Sequence, residues 1–254
     1  MAWGSLLGAI GCGGGGGANV DAGTGTGKSF AGGHGLAFYH LNTHSDASIT
    51  TPSMNVQATG STMLVSIGHG AVSLIATPTD NKGNQPYVQT DTTHTYVQYP
   101  NSGTAVYAFQ NVKGGDGFTV STTTGKDPST GQYDEVTIAA VEVATSGKIQ
   151  QVTWNEVAGP SPSSPVAAKT VTTDGPATLV SFWWGDGFYQ VPQHVSVDSD
   201  FQIIDSNVAE TDSFVQCAVA VKTVTAAGTY GVTWTGGSTN GDVEGAQVWL
   251  IAVE

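Results

Sequence analysis

The amino-acid sequence predicts an all-β protein: two tandem jelly-roll-like β-sandwich domains, derived from an internal repeat, that follow a Gly-rich N-terminal arm. The 254 residues are rich in Val, Thr, Ser, Gly and aromatic residues, which favour strands and turns. No window keeps the apolar period of an amphipathic helix. Short strand-like runs recur at the spacing of roughly 8–12 residues that is typical of sandwiches. A jelly roll is preferred to an immunoglobulin-like fold because the Cys…Trp…Cys spacing is absent.

The internal repeat is clearest in two segments, Gly60–Gly70 and Gly175–Gly185. Both carry Leu-Val-Ser, at Leu64–Ser66 and Leu179–Ser181, between glycines at matching positions. Weaker matches in the same order pair 106–109 with 218–221, 117–121 with 229–233, and 138–142 with 250–254. The offset between the copies falls only from 115 to 112 residues. Two copies of one β module, at 31–157 and 166–254, are therefore predicted.

Residues 1–30 form the predicted N-terminal arm. Its first ten residues are apolar at Trp3, Leu6, Leu7 and Ile10 and contain no Lys or Arg, so they lack the basic start of a secretory signal. A glycine run follows and would act as a flexible tether. An apolar end on such a tether predicts a segment that docks on a neighbouring subunit. The alternative, a secreted lipid-anchored surface protein, depends on Cys12 alone.

A phosphate-loop pattern occurs at Ala22–Ser29, with Lys28 in the position that would reach a phosphate. Such a loop needs a buried strand before it and a helix after it. Glycine-rich sequence lies on both sides here, so the segment is interpreted as a flexible linker.

The first module opens with His34, His40 and His44, which raise the question of a zinc site. The segment around His40 is predicted to be a strand, on which His40 and His44 would lie about 13 Å apart. Surface or inter-subunit histidines are therefore expected, and no metal site is predicted.

Other segments of the first module bear on ligand binding and on packing. The turn at 77–84 offers the oxygens of Asp80, Asn81 and Asn84, which could bind calcium, but it lacks dense carboxylates and is interpreted as a plain loop. The nearly continuous apolar run 136–143 predicts a strand at the centre of a sheet. The alternating residues Ala105, Tyr107 and Phe109 are expected to face the core, as are Cys217, Val219 and Val221 of the second copy.

Residues 158–165 contain three prolines and predict a semi-rigid Pro/Ser linker between the modules. The second module then carries the most aromatic stretch of the chain, with Trp183, Trp184 and Tyr189. Aromatic rings on a β surface would make these three the candidate glycan contacts. The competing interpretation places them in the core or at a domain or subunit interface.

Charge excludes several classes of function. The chain has no arginine, seven lysines and twenty carboxylates, which give a net charge of −13. A nucleic-acid binder needs a basic patch, and so does a protein held to an anionic membrane by charge. No apolar run approaches the length of a membrane span. Cys12 and Cys217 do not form a disulfide framework, and Cys217 is expected to be a small core residue.

Catalytic motifs are also missing, so the sequence predicts a protein that is not an enzyme and needs no cofactor. Gly-x-Ser-x-Gly does not occur. Asp116 and Asp186 each lie in Gly-Asp-Gly-Phe, but not at equivalent positions of the repeat, and both are expected in turns. Asp134 and Glu135 are adjacent, so they would point to opposite faces of a strand.

The duplicated strands at Leu64–Ser66 and Leu179–Ser181, the Pro/Ser joint and the Gly-rich apolar arm together resemble phage virion accessory proteins: head-decoration, head-fibre or tail-associated proteins built from tandem β-sandwiches. The resemblance implies an oligomeric, non-enzymatic virion component that binds capsid or tail subunits through its arm and displays the second module outermost. The rival hypothesis is an extracellular glycan-binding module. It predicts an exposed Trp183 or Trp184.

Overall fold

The computed structural model describes residues 33–41, 48–126, 131, 133–158, 165–187, 193–198, 200–208, 215–238 and 243–254. These residues form β-strands with one short 3-10 turn, and none of them lies in an α-helix. The all-β prediction is therefore confirmed. The predicted N-terminal arm lies outside the described residues.

Nineteen strands are formed by the described residues. In chain order they are β1 (Gly33–Leu41), β2 (Ser48–Thr50), β3 (Met54–His69), β4 (Thr79–Asp80), β5 (Val88–Gln89), β6 (His94–Thr95), β7 (Gly103–Phe118), β8 (Val120–Thr123), β9 (Val136–Val143), β10 (Ile149–Ala158), β11 (Pro165–Ala167), β12 (Val171–Thr173), β13 (Ala177–Gly187), β14 (Gln193–Val197), β15 (Gln202–Asn207), β16 (Val215–Val224), β17 (Gly228–Tyr230), β18 (Thr233–Ser238) and β19 (Val243–Val253). The 3-10 turn spans Val72–Leu74.

Two large antiparallel sheets have the same connectivity. The first large sheet has the order β1-β9-β3-β7-β5, with β6 also paired to β7, and the second has the order β10-β19-β13-β16-β15. In each, the first strand pairs with the last, and the last pairs with the strand that carries Leu-Val-Ser. The two large sheets therefore share one strand order.

Smaller sheets cover the outer faces of the two large sheets. The sheet β2-β8-β4 lies over the first large sheet, and the sheets β11-β18-β14 and β12-β17 lie over the second. Each large sheet and its small sheets enclose one apolar core. The two modules thus have the layered form of β-sandwiches.

A third core lies between the two large sheets, which pack face to face. It contains six buried residues of the first large sheet and eleven of the second, including Leu64 on one side and Phe182, Trp184 and Trp249 on the other. Burying an apolar side chain of this size contributes about 1.5–3 kcal/mol. Separation of the modules would expose the whole core, so the four layers form one body.

Burial on both faces explains the long apolar runs. All eight residues of β9 are buried, as the apolar run 136–143 predicts for a central strand. It lies between β1 and β3 in the sheet. A buried hydroxyl on this strand bonds to the other module: Thr137 Oγ1 donates to the carbonyl oxygen of Val215 across the boundary, at 2.8 Å.

The boundary between the modules differs from the sequence prediction at one strand. β10 was expected to close the first module, but it pairs with β19 along its length and is the first strand of the second large sheet. The Pro/Ser stretch therefore follows the first strand of the second module instead of preceding the module. β10 is the edge strand of the second large sheet and is half-buried along most of its length.

The repeated Leu-Val-Ser segments point their side chains to opposite faces. Leu64 packs in the core between the modules, whereas Leu179 packs beneath the small sheets of its own module. The same reversal occurs at Tyr107 and Val219, which are equivalent in the sequence repeat. Tyr107 faces the core of the first module, whereas Val219 faces the core between the modules. A shift of one residue reverses every side chain on a strand. The sequence match therefore correctly identifies equivalent strands, but not equivalent positions.

Candidate docking surface

An open groove of about 440 Å³ lies at the outer edge of the first large sheet, where this sheet meets β10. It is lined by Pro86, Val88, Gln89, Thr90, Ala108, Phe109, Gln110 and Ile149. None of these side chains carries a charge. Phe109 is held by Tyr87, whose buried ring lies 5.6 Å away, centroid to centroid. We call this feature the apolar groove. Its volume falls within the range of about 300–1,000 Å³ typical of ligand pockets.

The large hydrophobic side chains that are exposed in the described part of the chain all lie along this edge. Val88 is 63% exposed in β5, and Val97 (72%) and Tyr99 (50%) lie in the turn after β6. β5 and β6 both pair with β7, on the side away from β3. We call this side the apolar edge. Clustered exposed apolar residues mark interaction surfaces more often than scattered ones do.

His94 connects the apolar edge to the second module through contacts with two tryptophans. Its ring stacks on Trp154 at 4.0 Å and meets Trp249 edge-on at 5.0 Å, between ring centroids. Its Nε2 lies 3.1 Å from Asp91 Oδ2, and this hydrogen bond helps to lower the pKa of Asp91 although partial burial opposes the shift. Glu156 of β10 accepts a hydrogen bond from the Val97 backbone. The edge is thus held in place by both modules.

A Thr-His-Asp constellation lies at the end of β3, but its hydrogen bonds run the wrong way for a nucleophile. The backbone N–H of Ala71 donates to His69 Nδ1 at 3.0 Å, so the neutral ring carries its proton on Nε2 and donates it to Thr124 Oγ1 at 2.8 Å. A catalytic triad needs Nε2 to accept from the hydroxyl and Nδ1–H to face the carboxylate. Asp134 lies 3.5 Å from Nδ1, and His69 is completely buried. The cluster ties β3 to the segment before β9.

A buried tyrosine occupies the boundary between the modules near the same end. The Tyr96 hydroxyl is fully buried and has no hydrogen-bond partner among the described residues. Burial raises its pKa well above 10, and the nearby carboxylates of Asp186, Glu156 and Glu135 raise it further. Tyr96 therefore stays protonated. No group of three or more metal-ligating side chains is present among the described residues, so these carboxylates are not assigned a metal.

The turn at 77–84, which the sequence offers as a calcium candidate, uses its side-chain oxygens in hydrogen bonds within the protein. Asp80 Oδ1 accepts from the backbone of Lys82 and Asn84, and Oδ2 accepts from the Tyr87 hydroxyl at 2.8 Å. The side-chain amides of Asn81 and Asn84 each form two hydrogen bonds with the backbone of β7 or of the residue between β7 and β8. In each case Nδ2 donates to a carbonyl oxygen and Oδ1 accepts from an N–H. The bond from the Lys82 N–H to Asp80 Oδ1 is that of an Asx turn, and the asparagine bonds attach the turn to its neighbouring strands.

The structure corrects the candidate glycan contacts at Trp183 and Trp184, whose side chains are both completely buried. Trp184 packs in the core between the modules, and Trp183 packs beneath the small sheets of the second module. A sugar needs an accessible ring face, so neither tryptophan can supply one in this fold. The core-or-interface interpretation accounts for both.

Several other predicted residues lie outside the part of the chain that the structure describes. These are Trp3, Leu6, Leu7 and Ile10 of the arm, Cys12, the phosphate-loop pattern at 22–29, His44 and Tyr189. The backbone positions of His34 and His40 fall on β1.

The apolar groove was not predicted from the sequence. Its lining comes from three separate segments, 86–90, 108–110 and 149, and the last belongs to a strand that the sequence placed in the wrong module. The one local signal is the pair Pro86 and Val88 in a polar neighbourhood, which marks a short edge strand.

Comparisons with known proteins give little further information. No family model matches the chain, and no curated protein matches it. Among solved structures, a chain from the crystal structure of Cucumber Necrosis Virus is similar over 86% of this chain and 70% of that one, with 11% identity and a TM-score of 0.23. A TM-score this low does not support an inference about function. A search for helices able to cross a membrane finds none in the described residues.

Proposed function

We propose that this chain is a non-enzymatic structural component of a virion or a similar assembly, anchored by its N-terminal arm and displaying its β-sandwich modules outward. The observation that carries the proposal is the apolar edge. Val88, Val97 and Tyr99 are exposed along one side of β7, and no charged side chain lines the apolar groove beside Val88, although the chain as a whole is strongly acidic. A surface of this kind is the usual signature of a protein–protein contact.

The packing between the two modules supports a rigid structural role. Buried residues fill the space between the large sheets, and three tryptophans donate hydrogen bonds inside the body: Trp184 to Ser66, Trp249 to Thr104 and Trp234 to Ser181, at 2.8–2.9 Å. The first two of these bonds cross between the modules. Proteins that work by hinge motion need a weakly packed boundary, and this boundary is packed like a domain core.

The sequence supplies the remaining support. Residues 1–20 carry no charged side chain and include the large apolar residues Trp3, Leu6, Leu7 and Ile10. The net charge of −13 opposes non-specific association, so contacts between subunits have to be specific and apolar. The phage accessory proteins that the chain resembles would use these features in the same way. Capsid or tail subunits are then the expected partners, and the virion the expected location.

The test compares the full chain with a full-length variant in which Trp3, Leu6, Leu7 and Ile10 are replaced by Ser, which we call the arm variant. Light scattering at matched concentrations measures the mass of each, and circular dichroism checks that both are folded. We expect the full chain to associate and the arm variant to remain at the monomer mass of 25.9 kDa. Equal masses would count against an assembly role for the arm.

A further inference from the structure

We propose that the apolar groove is the receptor for the N-terminal arm of a second copy of this chain. The inference rests on the proposed function, because it identifies the surface on which the arm docks. It assigns the groove one occupant, residues 1–10 of a neighbouring molecule, and makes the contact between copies head-to-tail.

Chemical complementarity is the first argument. The lining of the groove is uncharged and mostly apolar, with the amides of Gln89 and Gln110 and the hydroxyl of Thr90 at its margin. Residues 1–10 are likewise uncharged and apolar, and their small residues Gly4, Ser5 and Gly8 would allow close approach. The arm and the groove therefore match in polarity, and binding would leave no charged side chain of either one desolvated.

The position of the groove is the second argument. The described chain begins at Gly33 in β1, and β1 and β5 lie at opposite edges of the first large sheet, four strand spacings or about 19 Å apart. The described chain therefore begins at the edge of the sheet opposite to the groove. In an arrangement with the β1 edge of one copy beside the apolar edge of the next, the segment that precedes β1 would start next to the neighbour's groove.

The length of the tether is the third argument. Residues 11–32 number 22 and are rich in glycine, and a glycine-rich linker of 22 residues has an average span of about 26 Å. Such a span exceeds the width of about 19 Å between β1 and β5. A head-to-tail contact of this kind repeats from copy to copy and generates a ring if it closes, as in an assembly with rotational symmetry.

The first experiment blocks the groove and leaves the arm intact. Val88→Asp places a carboxylate at the groove in a side chain that is 63% exposed, so folding is not expected to suffer. The control is Ser196→Asp, which adds the same charge at an exposed residue of β14, in a small sheet on the outer face of the second module and away from the apolar edge. By light scattering, V88D should fall to the monomer mass, whereas S196D should match the unmodified chain.

The second experiment tests complementarity between copies. V88D has an intact arm and a blocked groove, whereas the arm variant has an intact groove and an arm that has lost its apolar side chains. Each should be a monomer alone, and an equimolar mixture should form a heterodimer of twice the monomer mass and nothing larger, because the chain of contacts ends after one step.

Three results would overturn the proposal. If V88D keeps the mass of the unmodified chain while the arm variant is monomeric, the arm assembles on another surface; the proposed function then stands and the groove assignment falls. If the mixture stays monomeric, the groove does not accept an arm from another copy. If the unmodified chain is monomeric at every concentration, a second copy is not the occupant, which is also the outcome expected when each arm folds back into its own groove.

Discussion

The indole Nε1 of Trp184 donates a hydrogen bond to Ser66 Oγ at 2.9 Å, and this bond joins the two modules at the centre of their shared core. The ring lies over Gly68, which has no side chain to obstruct it: a Cβ on this glycine would stand 2.5 Å from Trp184 Cζ3. Trp184, a candidate sugar contact in the sequence, therefore connects the two modules through packing and a hydrogen bond.

Ser66→Ala is expected to lower the free energy of unfolding by about 1–3 kcal/mol, because it leaves the buried Nε1 of Trp184 without an acceptor. Urea denaturation measures the loss. Ser61→Ala is the matched control: Ser61 Oγ is also buried but has no hydrogen-bond partner among the described residues, so its removal should be neutral or slightly stabilising. Equal losses in the two variants would mean that the bond between the modules contributes nothing of its own.

Gly68→Ala should destabilise the protein by about 1–3 kcal/mol, since the added methyl group meets Trp184 and a methyl of Val215 at 2.5–2.6 Å in a packed core. Thermal unfolding is a suitable measurement. Gly175→Ala provides the comparison, because a Cβ at Gly175 has no atom within 4 Å. If G68A melts at the same temperature as G175A, the two large sheets are not closely packed at this point.

Glu156→Gln is expected to stabilise the protein at pH 7. Burial raises the pKa of Glu156 above 4.5, although hydrogen bonds from Val97 and Gln247 and the nearby His94 oppose the shift. The ionised carboxylate therefore costs stability at a pH above the raised pKa, and this cost disappears below the unfolded value near 4.5. Glutamine keeps an oxygen that can accept from the Val97 N–H.

Unfolding in urea at pH 7 and pH 4 checks this expectation for E156Q. The gain should be present at pH 7 and absent at pH 4. Asp174→Asn, at an exposed carboxylate, controls for the loss of one negative charge. A gain of equal size at both pH values would show that the stabilisation does not come from the ionisation of Glu156.

Cys217 should be inert in the folded protein. It is completely buried, and burial raises the pKa of its thiol well above 9, with a further contribution from Asp205. In a Cys12→Ser background, reaction with a thiol reagent at pH 8 should be about a thousandfold slower, or more, than in urea, because the thiol reacts only when the core opens. A native protein that reacts as fast as the unfolded chain would contradict the packing of β16.

The strands could be predicted from the sequence more securely than their surroundings. Strand-forming composition and polar turns identified the all-β class, and the apolar run 136–143 identified the central strand β9. β10 was assigned to the wrong module because its partner strand, β19, lies about a hundred residues later in the chain. The sequence of β10 itself contains no signal that identifies so distant a partner. Gln151 and Asn155 of β10 hydrogen-bond to the backbone of the second module, and a sequence alone does not show this.

The direction of individual side chains was the harder problem. In a sheet with one solvent-exposed face, the alternation of polar and apolar residues along a strand identifies the side chains that point to the buried face. Both faces of these large sheets are buried, so Leu64 and Val65 are equally apolar and equally hidden although they face different cores. The two serines of the repeat show the result: Ser66 accepts a hydrogen bond from Trp184 between the modules, and Ser181 accepts one from Trp234 inside the second module.

The docking surface could not have been predicted from any single stretch. Val88, Val97 and Tyr99 look unremarkable in a strand-rich sequence, and they acquire meaning only when β5 and β6 line up along the same side of β7. The aromatic segment at 183–189 carried the stronger local signal, but aromatic rings in a β protein serve the core as readily as the surface.

The core between the large sheets also constrains how the protein can evolve. A side chain that grows on one sheet needs a neighbour that shrinks on the other, as Gly68 opposite Trp184 illustrates. The two halves of the gene therefore cannot diverge independently, however the duplication began. Sequence change should accumulate in compensating pairs across this core and proceed freely only at exposed positions, and aligned homologues would display that pattern as covariation between residues more than a hundred positions apart.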